Sequence, residues 1–184
     1  MKKILGVIGS PRKKGNTDIL VSKILEGAKS EGAKIETIYL ADLNIQECDG
    51  CHICWKGKPC NKNDDMNSIY PKIIDSDAII FGTPVYWYGP TGLMKMVIDR
   101  FVYFNCPENR EKIKGKSAVI VIPFEEENPE TVAPVITFFE KCFAYLEMNL
   151  SAQIIVSGVG RKGAVLKKQD KLDECYQLGK KLAQ

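Results

Sequence analysis

The sequence predicts a doubly wound α/β fold, a five-stranded parallel sheet with helices on both faces, and three observations predict it. Five short, mostly apolar runs read as buried strands. A stretch with helical spacing of apolar residues follows most of them. The 184 residues include 45% hydrophobic and 27% charged side chains, which suits one soluble globular unit. No internal repeat or linker interrupts the alternation. One domain over 1–184 is therefore expected, with a cysteine-rich loop at about 42–65.

The elements follow in order. Lys3–Gly9 is an apolar run ending in glycine, a buried strand. Thr17–Ser30 carries Ile19, Leu20, Ile24, Leu25 and Ala28 on one stripe, a helix. Lys34–Leu40 alternates as a strand does. Asp42–Asp65 is polar and holds four cysteines. Met66–Asp75 is a short helix in which Pro71 is expected to make a local break. Ala78–Gly82 is a third strand, and Thr91–Phe104 a helix with Leu93, Met94, Val97, Ile98 and Phe101 on one face. Ser117–Phe124 and Ala152–Ser157 complete the strands, and Pro129–Met148 and Leu166–Ala183 the helices. Right-handed crossovers place the helices on both faces.

Composition excludes several functions. With 26 basic and 23 acidic residues the net charge is +3, too balanced for a nucleic-acid binder. No apolar run approaches the roughly 20 residues of a membrane-spanning helix. The basic start, MKKILGVIGSPRKKGN, loses its apolar character within a few residues, so no signal peptide is expected and the expected location is cytoplasmic. Seven cysteines, four of them within thirteen residues, point to metal or redox chemistry rather than a disulfide framework.

In this architecture ligands bind beyond the carboxyl ends of the strands. After the first strand runs Gly9-Ser10-Pro11-Arg12-Lys13-Lys14-Gly15-Asn16-Thr17, entering a helix. Free N–H groups at a helix start, hydroxyl and amide donors from Ser10, Asn16 and Thr17, and the fixed cation of Arg12 suit a terminal phosphate. The loop lacks both the dinucleotide glycine pattern and the Gly-Lys-Ser/Thr of a P-loop, which favours a mononucleotide. Asn16 or Thr17 is the expected helix cap. After the third strand, Pro84-Val85-Tyr86-Trp87-Tyr88-Gly89-Pro90 sets three aromatics at the ligand edge, suited to a planar ring.

Cys48-x2-Cys51-x2-Cys54-x5-Cys60 is the sharpest motif. Thiolates at such spacing can wrap a 4Fe–4S cluster or a zinc ion, or stand as free thiols. His52 is the one histidine and a less expected ligand; Cys106, Cys142 and Cys175 read as ordinary buried residues. Asp99-Arg100 reads as a structural pair or an interface element.

GSPRKKGNT after the first strand, DDM before the second helix, and IIFGTPVYWYGPTGLMKMVIDR together resemble the flavodoxin-like NAD(P)H-dependent FMN reductase family. The resemblance spans nearly the whole chain and implies strand order 2-1-3-4-5. It implies FMN, with Ser10, Arg12, Asn16 and Thr17 at the phosphate. Pro84, Val85, Tyr86 and Trp87 would line the isoalloxazine, with Gly89 in the same loop. The cysteine spacing is similar to that of the iron–sulfur flavoprotein branch, implying a 4Fe–4S cluster on Cys48, Cys51, Cys54 and Cys60. The fourth loop departs from the pattern. Glu125, Glu126 and Glu127 stand where many members have glycine, and three carboxylates disfavour an anionic reduced flavin and repel an NADPH phosphate.

The expected activity is electron transfer from NAD(P)H or ferredoxin, through FMN, to a quinone, flavin or other small-molecule or protein acceptor. No side chain need act as a catalytic acid or base. The alternatives are an FMN carrier without a small-molecule substrate, a cluster-free NAD(P)H:FMN reductase, and a zinc-stabilised binding module. The resemblance also implies a homodimer or homotetramer.

Overall fold

The computed structural model describes residues 1–184. Strands β1 (Lys3–Ile8), β2 (Lys34–Tyr39), β3 (Ala78–Gly82), β4 (Ser117–Pro123) and β5 (Asn149–Val156) form a parallel sheet in the order β2-β1-β3-β4-β5. The helices are α1 (Asn16–Ser30), α2 (Met66–Asp75), α3 (Gly92–Arg100), the single turn α4 (Pro107–Arg110), α5 (Ala133–Tyr145) and α6 (Gln169–Ala183).

Alternate strand residues feed two cores, because successive side chains on a strand point to opposite faces. Leu5, Val7, Ile79, Phe81, Ile120 and Ile122 pack with residues of α2, α3 and α5. Ile4, Ile8, Ile80, Val119, Val121 and Ile154 pack with residues of α1 and α6. Each large apolar side chain so buried contributes about 1.5–3 kcal/mol.

Several boundaries differ from the sequence reading; α5 also ends at Tyr145 rather than Met148, and α6 begins at Gln169 rather than Leu166. Helix α3 stops at Arg100, and Phe101–Asn105 tightens into a 3-10 turn. Helix α5 begins at Ala133, after a separate turn at Pro129–Thr131. Strand β5 begins at Asn149 and not Ala152; it is an edge strand, half exposed, whose polar Asn149 and Ser151 hide it from an apolar search. Pro71 sits inside α2 without breaking it. Its ring is exposed, so the backbone bond it forgoes opens toward solvent.

Helices α1 and α6 approach closely enough for backbone contact. A methyl at Gly27 would overlap the Tyr176 carbonyl oxygen, and one at Gly179 the Ile24 carbonyl oxygen. Neither obstacle is a movable side chain. Gly179→Ala should therefore cost at least about 3 kcal/mol of stability, at the upper end of overpacking penalties, read from the urea unfolding midpoint.

Cys175, in α6, is fully buried, and burial pushes its thiol up to about 12 from an ordinary value near 9. Between those values the unfolded chain has lost this proton and the folded chain has kept it. Stability thus falls as pH rises through that window. The loss between pH 9 and 11 should be shallower in Cys175→Ala than in the wild type, measured by urea unfolding at each pH.

Candidate functional site

The winding reverses at β1, which has β2 on one side and β3 on the other. The loops leaving β1 and β3 therefore part and open a crevice. A cavity of about 130 Å³ lies there. Its walls are Ser10, Arg12, Asn16 and Thr17 after β1, Pro84, Val85 and Tyr86 after β3, Pro123 and Glu125 at the end of β4, and Val159, Gly160 and Lys162 after β5. A larger hollow of about 260 Å³ at the opposite end is lined by Lys3, Lys34 and Glu36, and two of these charges are already paired. Lys3 meets Asp75 at 2.8 Å and Lys72 meets Glu36 at 2.5 Å.

The start of α1 makes the crevice an anion cradle. Gly15 precedes the helix in extended backbone, and no side chain caps it. The backbone N–H groups of Asn16, Thr17 and Asp18 have no partner within the chain. Ser10 and Thr17 are buried, and Ser10 Oγ accepts the Arg12 N–H at 3.2 Å. Lys13 pairs with Asp42 at 2.7 Å, so Arg12 is the cation of this loop that lines the cavity. Three N–H groups and a guanidinium suit a phosphate dianion.

Asn16 behaves differently from the expectation. Its amide neither caps α1 nor points free into the cavity. Nδ2 donates to the carbonyls of Val159 at 2.6 Å and Arg161 at 2.9 Å, and Oδ1 accepts the Val165 N–H at 3.2 Å. The side chain is a strut between the loops after β1 and β5, and its backbone N–H is the group offered to a ligand.

Sequence reasoning missed the clasp that joins the other two loops. Buried Thr91 Oγ1 donates to the Gly9 carbonyl at 2.7 Å and accepts the Met94 N–H at 3.2 Å, capping α3. Its own N–H donates to Thr83 Oγ1 at 3.0 Å. A Cβ on Gly9 would stand 2.9 Å from Met94 Cβ, so glycine is required for the approach. The threonine before an apolar helix was the available signal.

Tyr86 and Gly89 exchange two backbone hydrogen bonds, at 2.9 and 3.0 Å, around a tight turn. Its tip residues, Trp87 (φ 49°) and Tyr88 (φ 59°), adopt the left-handed conformation that usually falls to Asn-Gly. Trp87 is thereby thrust outward and is 96% exposed. It lines a neighbouring pocket with Val85, Tyr88, Glu126 and Thr131. The structure thus gathers Ser10, Arg12, Asn16, Thr17, Pro84, Val85 and Tyr86, while Trp87 and Gly89 stand outside that cavity. Arg12 and Trp87 line separate pockets that share Val85. Glu125 reaches the crevice by lying against Gly160, where a Cβ would come within 2.6 Å of its Cδ.

Cys48, Cys51, Cys54 and Cys60 line a second, tight pocket of about 20 Å³ together with Tyr70 and Arg100. It shares no lining residue with the crevice. All seven cysteines are free, and no three thiol, imidazole or carboxylate groups converge closely enough to hold a single metal ion. Cys51 and Cys60 both hydrogen-bond to Asn61 Oδ1, at 3.5 and 3.9 Å. Burial, then the neighbouring Cys60, raises the Cys54 thiol above its ordinary range. His52 is exposed, its ring 4.1 Å from Trp55. Asp99 and Arg100 are not partners: Asp99 pairs with Lys95 at 2.6 Å on the surface, and Arg100 is buried against Asp64. Burial opposes ionisation of Asp64, but the hydrogen bonds and charge of Arg100 together with the Gln46 and Met66 N–H groups outweigh it and hold the carboxyl below its usual range.

Residues 2–126 match the model of the NADPH-dependent FMN reductase family. The chain belongs to that family. This NADPH-dependent FMN reductase homologue is thus an FMN-dependent NAD(P)H oxidoreductase. An iron–sulfur flavoprotein of Methanocaldococcus jannaschii is 33% identical to it, over 99% of this chain and 96% of its own. A Bacillus subtilis protein whose name describes an NAD(P)H-dependent FMN-containing oxidoreductase is 30% identical over 97% of each chain. An FMN-dependent NADH-azoreductase of Bacillus anthracis, solved in complex with FMN, superposes with a TM-score of 0.74 over all of both chains. At 15% identity that likeness shows the shared fold. No helix of the FMN reductase homologue is long and apolar enough to cross a membrane.

Asn16→Ala removes three hydrogen bonds and strands their partners. It should lower stability by about 2–3 kcal/mol and speed amide exchange over residues 159–165, read by hydrogen–deuterium exchange mass spectrometry.

Proposed function

We propose that the chain is an iron–sulfur flavoprotein that carries electrons from a reduced nicotinamide or ferredoxin to a quinone, a flavin or another acceptor. FMN would occupy the crevice, and a 4Fe–4S cluster would be held by Cys48, Cys51, Cys54 and Cys60. The observation that carries this reading is the four cysteines on the wall of one pocket, in a fold whose switch point presents an anion cradle. The name of the M. jannaschii relative supports it. When bound, FMN supplies exchange between hydride and single-electron transfer, and a cluster supplies single-electron relay.

The chain's own residues do the rest. Unpartnered N–H groups and Arg12 fit a phosphate, whereas the four thiols share one small pocket without converging on a common point. The N–H groups of Asn16 to Asp18 and the Arg12 guanidinium neutralise the phosphate. The hydroxyls of Ser10 and Thr17 complete its hydrogen bonds. Val85 and Tyr86 border the ring, and Thr91 and Asn16 keep the loops in register. Glu125 and Glu126 oppose added negative charge at the ring, which favours NADH or ferredoxin over NADPH. Exposed Trp87 and Tyr88 beside the crevice support a homodimer or homotetramer in which a second subunit covers them.

One observation favours a second reading, a cluster-free NAD(P)H:FMN oxidoreductase. The thiols do not converge on one point, and the B. subtilis relative's name mentions no iron.

Anaerobic purification separates the readings. Iron and acid-labile sulfide near four per chain, with one FMN, support the cluster; FMN without iron supports the second reading. Colourless protein with one zinc per chain overturns both. Turnover with NADH, NADPH and reduced ferredoxin then identifies the donor. Arg12→Ala should weaken FMN binding about ten- to a hundredfold, read by flavin fluorescence titration, since a hydrogen bond to a charged group contributes about 1.5–3 kcal/mol.

A further inference from the structure

We propose that Asp18 gives the crevice its selectivity for a phosphorylated flavin, by holding the loop after β1 in its anion-binding shape through a buried hydrogen bond to the Lys14 N–H. This rests on the FMN reading above and extends it to a side chain that lines no part of the cavity.

Asp18 is the third residue of α1 and is 6% exposed. Its backbone N–H is offered to a ligand, but its carboxylate turns back on the loop. Oδ2 accepts the Lys14 N–H at 2.7 Å. Oδ1 accepts the hydroxyls of Ser22, one turn further along α1, and of Tyr39, the last residue of β2, both at 3.1 Å. Burial, then the Asp18 hydrogen bond, raises the Tyr39 hydroxyl above its ordinary range, so it remains a donor. Lys14 has φ 55°, a left-handed conformation that a non-glycine residue keeps only where its surroundings enforce it. The same turn is closed by the Gly15 N–H, which donates to the Arg12 carbonyl at 2.9 Å. A Cβ on Gly15 would stand 2.7 Å from that oxygen. Lys13 adds a second anchor, paired with Asp42 and 5.5 Å from the centroid of the Tyr39 ring.

Helix stability alone does not explain this arrangement. An acid in a first turn favours the helix dipole from an exposed position, without the desolvation that burial brings. The three partners of this carboxylate are all neutral groups. Its charge also stands beside a site for a dianion, which it repels. Position does explain it. No residue of β2 lines the cavity, so Tyr39 and Asp42 hold the loop from behind. Pinned there, the loop presents to the cavity the Arg12 side chain and the Thr17 hydroxyl, which no group of the chain engages although Thr17 is 2% exposed. Donors fixed in advance bind an anion more tightly than donors that must first be ordered. Asp18 is therefore a positioning residue for the phosphate, and the flavin ring is indifferent to it.

The test titrates flavin-free, full-length protein with FMN and with riboflavin, each followed by flavin fluorescence, and compares the ratio of the two affinities. Loss of overall stability lowers both affinities together, whereas loss of the cradle lowers that for FMN alone. In Asp18→Ala, FMN binding should weaken about tenfold while riboflavin binding stays within about twofold of wild type. Asp18→Asn, which keeps the shape and a weaker acceptor, should fall between the two. An unchanged affinity ratio in Asp18→Ala overturns the proposal, as does tighter FMN binding, which would make the carboxylate only a repulsive charge. If Asp18→Ala does not fold, Ser22→Ala/Tyr39→Phe, which frees the carboxylate from its other two anchors, takes its place, and an unchanged ratio there overturns the proposal. Wild-type protein that binds neither flavin, or binds both equally, overturns the FMN reading itself, a different outcome from a wild-type preference that the variants retain.

Discussion

The reversal of winding at β1 is the constraint on which the rest of the molecule depends. A parallel sheet whose crossovers are all right-handed can cover both faces only if the chain travels outward in both directions from one strand. Here β1 leads to β2 on one side and, through α2, to β3 on the other. The loops at the carboxyl ends of β1 and β3 therefore cannot lie side by side. The space between them is a consequence of topology, and the chain has furnished it with N–H groups, a guanidinium and hydroxyls.

Two clasps turn that space into a defined site. Thr91 ties the end of β1 to the start of α3, and Asn16 ties the start of α1 to the loop after β5. Each satisfies backbone groups that the interruption of helix or sheet would otherwise leave bare, and each brings together loops far apart in the chain. Rigidity here has a chemical purpose, because donors aimed at an anion work best when they need not reorganise. The left-handed Trp87–Tyr88 turn is the opposite case, a locally costly conformation that sends two large aromatics into solvent beside the crevice.

The cysteine segment is organised by a different principle. It has little regular structure, with one short 3-10 turn between Gln46 and Asp64. Its anchor is the buried Arg100–Asp64 pair, which also holds the Gln46 carbonyl and Cys60. A guanidinium suits this task because its planar fork can satisfy a carboxylate, a carbonyl and a sulfur together.

Some of this was legible in the residues and some was not. Period and apolarity alone placed the five strands, the main helices and the crevice loops, because burial on both faces leaves a strong one-dimensional trace. The quartet of cysteines and the basic loop were equally plain. Boundaries were lost where burial is partial, as at the β5 edge strand, or where a helix gives way to a 3-10 turn, as after Arg100. Only the tertiary structure decided which donors a ligand meets. It spent the Asn16 amide on three backbone groups, turned Trp87 outward, brought Glu125 and Lys162 to the crevice, and gave Arg100 to Asp64 and Cys60 rather than to its neighbour Asp99. The physical reason is that hydrogen-bond partners are settled by proximity in space, which spacing along a chain does not encode.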